Sequence, residues 1–478
     1  MTALWIILGL LVAFLAVILA RACLFVPGKE EPAPALDEHP DEKKIIDHMQ
    51  QLIRCKTVSN RDKSLEDEAE FQRLYALLPT LFPHVYEACE CFTPSDRSLI
   101  YAWKGKSSEK PGVLMAHYDV VPVVQEEWSK PAFEAIIEDG VMWGRGTLDT
   151  KGTFLGALEA ADNLIAEGFV PAHDLYLCFA GNEEISGYGA PANVDWLEQH
   201  GIHPEFVLDE GGAVVEGVFP GVKQRCAVVG IAEKGPMTLR LTVETKGGHA
   251  STPPAQSAIG ILSAAVARVE AHPFPFTITK PAAGMFDTLA RRSTFLYRLI
   301  FANLWCFGPV LNLICKKSGG ELNALVRTTC AFTMAKGSDA FNVLPHKAWV
   351  GADLRIIPGQ TPESTIAELK KKLGDDRVQV EKVFGDEPSI ISRMDDEPWQ
   401  RLCGAVSAAW PDAVVSPYLM LACSDSRRYG RISDHVYRFS AMFMSKEERG
   451  MIHGKDERIP LETLTHTVKF YQNLIRRC

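Results

Sequence analysis

Apolar and polar positions follow several distinct rhythms along the chain, and each rhythm predicts an element. Short continuous apolar runs at Val113–Ala116, Leu175–Ala180 and Phe206–Leu208 predict buried strands. Phe154, Leu155, Leu158, Ala161, Leu164 and Ile165 recur at helical spacing. Strand, loop and helix in succession give an α/β layer fold. From about residue 232 the rhythm shifts to period two. Leu239, Leu241 and Val243 alternate with polar residues, and Ala348, Val350, Ala352 and Leu354 alternate with Trp349, Asp353 and Arg355. Those are half-buried strands of a sheet with one wet face, and Ser257–Val269 between them reads as a helix. The α/β pattern resumes at Thr361-Pro362-Glu363, where Thr can cap and Pro can take the first helical position. Two further helices are marked by Trp399, Leu402, Cys403, Val406 and Trp410, and by Leu464, Val468, Tyr471 and Ile475. The expected fold class is α/β. A main domain with a central, mostly parallel sheet flanked by helices is assembled from residues 45–231 and 351–478. An α+β lid domain is inserted at 232–350.

The N-terminus departs from these rhythms. Ala3 to Ala20 is an uncharged apolar run of 18 residues, which as a helix is about 27 Å long and close to the hydrocarbon thickness of a bilayer. No basic stretch precedes it and no A-x-A cleavage site follows, so a transmembrane anchor is favoured over a cleaved signal sequence or a buried helix. The chain is expected to be a single-pass membrane protein with its main domain extracytoplasmic or lumenal. A linker at 21–44, rich in Pro and Glu from Pro27 to Pro40, would separate anchor and domain.

Composition narrows the partners. The 478 residues exceed one compact core, so two domains are the default. A formal charge of −10 argues against nucleic acid, which needs a basic face. The 12 cysteines are scattered without a CxxC pair and read mostly as small apolar residues.

Chemistry collects where the predicted strands end. His117 follows the first strand. Glu183 and Glu184, in GNEEISG, follow the second, and Asp209, in VLDEGG, follows the third. Asp149, in GRGTLDTKG, stands in a glycine-rich loop before a helix. Loops at the carboxyl ends of strands in an open α/β sheet converge on one crevice. Carboxylates crowded there repel one another unless cations offset them. A mixture of imidazole and carboxylate suits zinc. Asp119, two residues after His117, can then orient the histidine by taking its free ring N–H. Taken singly these residues read as polar loops, turn residues or a helix cap; their joint occurrence at strand ends points to a metal site.

The motifs MAHYDVVP, WGRGTLDTKG, AGNEEISG, VLDEGG, KGGHAS, FNVLP, DLRIIPG and MIHGKDE resemble those of the dinuclear zinc amidohydrolases. That family includes aminoacylase, glutamate carboxypeptidase, carnosine dipeptidase and succinyl-diaminopimelate desuccinylase. The resemblance covers about residues 45–475. It implies a catalytic α/β domain with an inserted lid, and two Zn²⁺ per chain. It assigns His117 and Asp209 to one ion, Glu184 and His453 to the other, and Asp149 as the bridge. Their three carboxylates would offset three of the four positive charges. Glu183 is implied as general base, His249 as the donor to the developing oxyanion, and Asp119 as a catalytic partner of His117. Arg355, on the polar face of its strand, suits bidentate capture of a carboxylate. Asn342 and Ser424 are further substrate-binding candidates. Ser424 stands where many relatives carry threonine, which leaves its contact with substrate open. Without the resemblance His453 reads as a surface-loop residue.

Within the family the chain looks most like the branch of vacuolar carboxypeptidase S and of the secreted enzyme that makes and hydrolyses N-fatty-acyl amino acids. The resemblance implies amide hydrolysis next to a free carboxylate, as a carboxypeptidase on short peptides. Hydrolysis or synthesis of an N-acyl amino acid is the alternative. A non-catalytic membrane-tethered binding protein on the same scaffold is a second alternative, which loss of a ligand or of the base would favour. Relatives often pair through their lids, so a homodimer through the lid is expected. The segment FLYRLIFANLWCFGPVLNLI, residues 295–314, carries one charge, Arg298. It reads as lid helices, as a second span broken at Gly308-Pro309, or as an apolar surface for an acyl chain or a bilayer.

Overall fold

The computed structural model describes residues 2–28, 36–217 and 219–478. The chain lays down β1 (Glu90–Phe92), β2 (Ser98–Trp103), β3 (Gly112–His117), β4 (Leu175–Ala180), β5 (Phe206–Val215) and β6 (Cys226–Glu233). It then leaves through β7 (Gly235–Glu244), β8 (Thr329–Lys336), β9 (Lys347–Ile356) and β10 (Gln379–Gly385), and returns as β11 (Val414–Met420) and β12 (Val436–Met444). Helices α1 (Thr2–Leu24), α2 (Lys151–Ala166), α3 (Ala258–Ala271), α4 (Lys280–Ala290), α5 (Phe295–Phe301), α6 (Leu304–Ser318), α7 (Pro362–Leu373) and α8 (Leu461–Arg476) pack on these sheets or on one another.

The main sheet runs β1-β2-β4-β3-β5-β12-β6-β11. It is parallel through its centre, where β4, β3, β5 and β12 pair, and antiparallel at β1–β2, β2–β4 and β12–β6. Strands β2, β3 and β4 are buried on both faces, which explains their unbroken apolar runs. Helix α2 packs on the sheet at β3 and against α8, which itself rests on β12. Gly156 permits that approach, because a Cβ there would stand 2.5 Å from Thr467 Cγ2.

The second sheet, β8-β9-β7-β10, is wholly antiparallel and packs against α3 and α7 around Leu239, Leu241, Leu262, Leu354 and Leu369. Thr361 caps α7 with Pro362 in its first turn, as its sequence indicates. Yet α7 and β10 belong to this second body and not to the main domain. The lid thus extends to about Gly385, beyond the boundary expected at 350. An amphipathic helix and a strand carry no label for the sheet they will join, which is why the local pattern misplaced them.

The apolar segment 280–325 is also placed differently from the expectation of a lid insertion. Helix α4 packs along the edge strand β11, with Gly284 turned to Pro417. Phe219, Phe286 and Phe301 pack ring to ring. Met285, Leu289, Leu311, Cys315 and Leu325 join the main core. The segment therefore covers an otherwise bare sheet edge.

Helix α1 is long and apolar enough to cross a membrane, and only 6% of its most apolar window is buried. The linker expected at 21–44 is shorter, because α1 runs to Leu24 and the next helix starts at Glu42; residues 29–35 of it lie outside the described residues.

Candidate metal centre

Strand β3 delivers His117 at its carboxyl end, buried to 2% exposure. The turn after β4 carries Glu183 and Glu184, β5 carries Asp209 and Glu210, and the glycine loop before α2 carries Asp149. The turn at 451–456 brings His453 in at a positive φ of 59°. His117 Nε2 lies 3.0 Å from Asp149 Oδ1. His453 Nε2 lies 3.0 Å from Asp149 Oδ2 and 3.0 Å from Glu184 Oε2. One carboxylate oxygen of Asp149 therefore faces each histidine. Donor atoms of His117, Asp149 and Glu184 converge within 4.8 Å of one another, as do those of His117, Glu183 and Glu210.

Glu210, which the sequence reading passed over, stands where Asp209 was expected. Its Oε1 is 3.4 Å from His117 Nε2. Asp209 is turned away: it accepts from the backbone N–H of Glu210 at 2.9 Å and of Ser426 at 2.9 Å. Neighbouring side chains on a strand point to opposite faces. The motif VLDEGG therefore offers one carboxylate to the crevice and one to the structure behind it, and nothing local says which.

Asp119 lies against the His117 ring through both its carbonyl and its carboxylate. The ring Nδ1 of His117 is 3.0 Å from the backbone carbonyl of Asp119 and 3.4 Å from its carboxylate. Donation to that carbonyl leaves Nε2 as the lone-pair nitrogen facing the cluster. The Asp119 carboxylate accepts from Ser59 Oγ at 2.6 Å and from the backbone N–H groups of Glu183 and Glu184 at 3.1 and 3.2 Å. It thereby fixes the Glu183-Glu184 turn. Buried Glu457 does the same for the glycine loop. It accepts from the N–H groups of Gly146, Leu148 and Asp149 at 3.0, 2.7 and 3.2 Å, and from Arg145 at 2.7 Å.

The electrostatics are those of a site short of positive charge. Burial raises Glu183 well above the ordinary carboxylate range, and it raises Glu184. Burial, then the charge of Asp149, push Glu210 up to about 7. Burial and Asp209 lift Asp425 well above its usual value. Burial opposes the charge on His117, but Glu210 and the hydrogen bonds to Asp119 and Asp149 outweigh it and raise the ring strongly. Hydrogen bonds to Asp149 and Glu184 push His453 up to about 10. Glu184 Oε1 and Asp425 Oδ2 are buried without a hydrogen-bond partner. The donor set of two imidazoles and several buried carboxylates, with an orphaned Glu184 oxygen among them, fits divalent metal.

Beside this cluster lies a cleft of about 240 Å³ lined by Glu183, Glu184, Arg61, Arg355, Arg427, Arg428, Ser424 and Asp425, with lid residues Thr238, Asp353 and Phe384. Arg355 is held by Asp353 Oδ1 at 3.0 Å and lies 3.3 Å from Cys423 Sγ. Ser424 is spent on Glu233 and Ser426. His249 and Asn342 are not among the cleft-lining residues. Both are exposed on or beside a two-stranded ribbon pairing His249 with Val343, and His249 Nδ1 is 2.7 Å from Ser251 Oγ. Glu210, Asp425, Glu457 and Ser59 are the functional candidates that sequence reasoning missed. Glu210 had a signal as the second acid of VLDEGG, and Glu457 as the last residue of MIHGKDE.

An α/β domain with a lid and a buried His–carboxylate cluster at its strand ends defines a metal-dependent hydrolase. Residues 113–477 match the model of peptidase family M20/M25/M40. The chain belongs to this family. It is 34% identical over 429 residues to a probable carboxypeptidase S-like 2 of Dictyostelium discoideum, spanning 88% of this chain and 82% of that protein. It is 34% identical over 442 residues to an N-fatty-acyl-amino acid synthase/hydrolase of Xenopus tropicalis, spanning 91% of this chain and 86% of that one. The fold is shared with an M20 family metallo-carboxypeptidase of Sulfolobus solfataricus, at a TM-score of 0.66, 16% identity, and coverage of 90% of this chain and 98% of that one.

Proposed function

We propose that this metallohydrolase cleaves an amide bond next to a free carboxylate, as a carboxypeptidase on short peptides. Two Zn²⁺ would be held by His117, Asp149, Glu184, Glu210 and His453. The observation that carries this reading is that Glu183 and Arg355 line one small, polar cleft. Bound there, zinc would supply Lewis acidity and a water of lowered pKa. Glu183 adjoins Glu184 and comes within 4.8 Å of His117 and Glu210 without a hydrogen bond to either histidine, so its carboxylate would be free to take a proton from that water and return it to the leaving amine. Arg355 receives the terminal carboxylate of the substrate. Asp119 keeps Glu183 and Glu184 in register. His249 and Asn342 would enter by lid movement. The chain passes between the bodies at Glu233–Gly235 and Gly385–Ser389, which meet at Gly235, where a Cβ would stand 2.6 Å from Asp386 O, and again on either side of the segment 280–325. The membrane anchor is α1, with the catalytic domain extracytoplasmic or lumenal. The homodimer contact falls on the lid edge β8 and α3, where Met334 and Ile259 are exposed.

The second reading, an N-acyl amino acid hydrolase or synthase, is favoured by the likeness to the Xenopus tropicalis protein. A panel of blocked dipeptides and N-acyl amino acids of increasing chain length, with products identified by mass, separates the two. Turnover confined to peptides supports the first reading; turnover that climbs with acyl length moves the assignment to the second. In either case Glu183→Gln should keep its metal and lose about 10²–10⁴ in turnover. Near-normal turnover would remove Glu183 as the base.

A further inference from the structure

Helix α1 is docked on the main domain and is not a free tether. Asn303 Nδ2 donates to the carbonyl of Ile18 at 3.0 Å, and Arg21 donates through Nε and Nη2 to the carbonyl of Ala302 at 3.0 and 2.8 Å. Ile18 and Ala22, one turn apart, are the two residues of α1 that are buried. All of these contacts are made to the corner between α5 and α6, which are bent by 109° relative to each other. Arg291 stacks on Phe25 just past the helix end.

The corner is rigidly mounted. Leu311 and Cys315 enter the main core, and Arg327 Nη2 donates to Asn312 Oδ1 at 2.6 Å. The opposite face of α6 is bare and apolar. Trp305 is 61% exposed, Val310 46%, Leu313 54% and Ile314 43%, and on α5 Leu296 is 64% exposed. These positions on α6 fall on one side of the helix. A soluble surface does not gather large apolar side chains at this density without a partner.

The contact with α1 identifies the partner. Trp305 packs edge-on against Phe14, with ring centroids 5.8 Å apart. Phe14 lies seven residues before Arg21, which is about 10 Å along the helix on its apolar side. If α1 spans the bilayer, Trp305 is carried to that depth with it. Lys316 and Lys317 close α6 at the other end, about 16 Å from Trp305 along the helix, within reach of headgroup phosphates. Arg298 lies over the Phe295 ring on α5.

We propose that α5 and α6 form a second membrane element, a bent foot that dips into the leaflet holding the C-terminal half of α1 and rests on lipid through Trp305, Val310, Leu313 and Ile314. The enzyme would then sit on the bilayer by the β11 edge of its sheet and have a fixed orientation there, while the lid, which is built elsewhere, stays free to move. This inference is independent of the substrate reading.

The test uses the full chain reconstituted in vesicles of phosphatidylcholine and phosphatidylserine, alongside Trp305→Phe. The difference in tryptophan emission between the two reports on Trp305. Lipid brominated midway along its acyl chains should remove most of that difference, and aqueous iodide should leave it intact. Quenching by iodide and not by brominated lipid would put the face in water and overturn the proposal. Quenching by neither would mean that protein covers it, such as a second copy, and would overturn it equally.

Discussion

Asp209 and Glu210 are adjacent carboxylates with different partners, since one accepts two backbone N–H groups and the other faces His117. Their substitutions should separate accordingly. Glu210→Gln should lose a metal equivalent by elemental analysis. Asp209→Asn should keep the full stoichiometry, with metal affinity weakened by about 10–100-fold, as befits a residue that orients its neighbours. The reverse pattern would restore Asp209 as the ligand. The same logic separates Glu183 from Glu184: both N–H groups are held by Asp119, but only Glu184 meets His453.

At the scale of elements, the glycine loop and the C-terminal turn depend on one buried side chain. Glu457 gathers three loop N–H groups and Arg145 while lying next to the turn that carries His453. Removing one member of a buried ion pair costs about 3–5 kcal/mol, because the remaining charge is left uncompensated. Glu457→Ala should therefore lower unfolding stability by an amount of that order in denaturant titrations and weaken metal binding as well. A loss below about 1 kcal/mol would show that the loop holds its shape without this carboxylate.

Over the whole molecule, the metal and the fold should stabilise each other. Without metal, Glu210 titrates at about 7 in the folded chain, above the ordinary value of 4.5. Between those values the folded state binds more protons than the unfolded one, so stability falls as pH rises through that window, by at most about 1.4 kcal/mol per pH unit. His453, raised from 6.5 to about 10, works in the same direction at higher pH, though solvent screens it because it is half-exposed. Metal removes this burden by replacing the protons, and its own affinity rises as the ligands deprotonate. Stripping with a chelator should lower the melting temperature, and lower it more at about pH 8.5 than at about pH 6, as read by calorimetry. A loss independent of pH would mean that the carboxylate cluster does not drive it.

The sequence alone determined those features that depend on local order. Apolar runs and periodicities located the strands β3 and β4, the cap of α7 and the apolar α1, because strand and helix periods and capping are set by near neighbours. Strand ends bearing His117, Glu183 and Glu184 marked the crevice, because loops at the carboxyl ends of parallel strands converge there. What depends on distant partners was decided only by the tertiary structure. It chose Glu210 over Asp209, since the facing of two adjacent acids is fixed by sheet and crevice together. It drew α7 and β10 into the lid, and it laid the apolar segment 280–325 on the β11 edge beside α1. Hydrophobicity states that a surface must be buried but not against what, and that choice is made by packing across the whole chain.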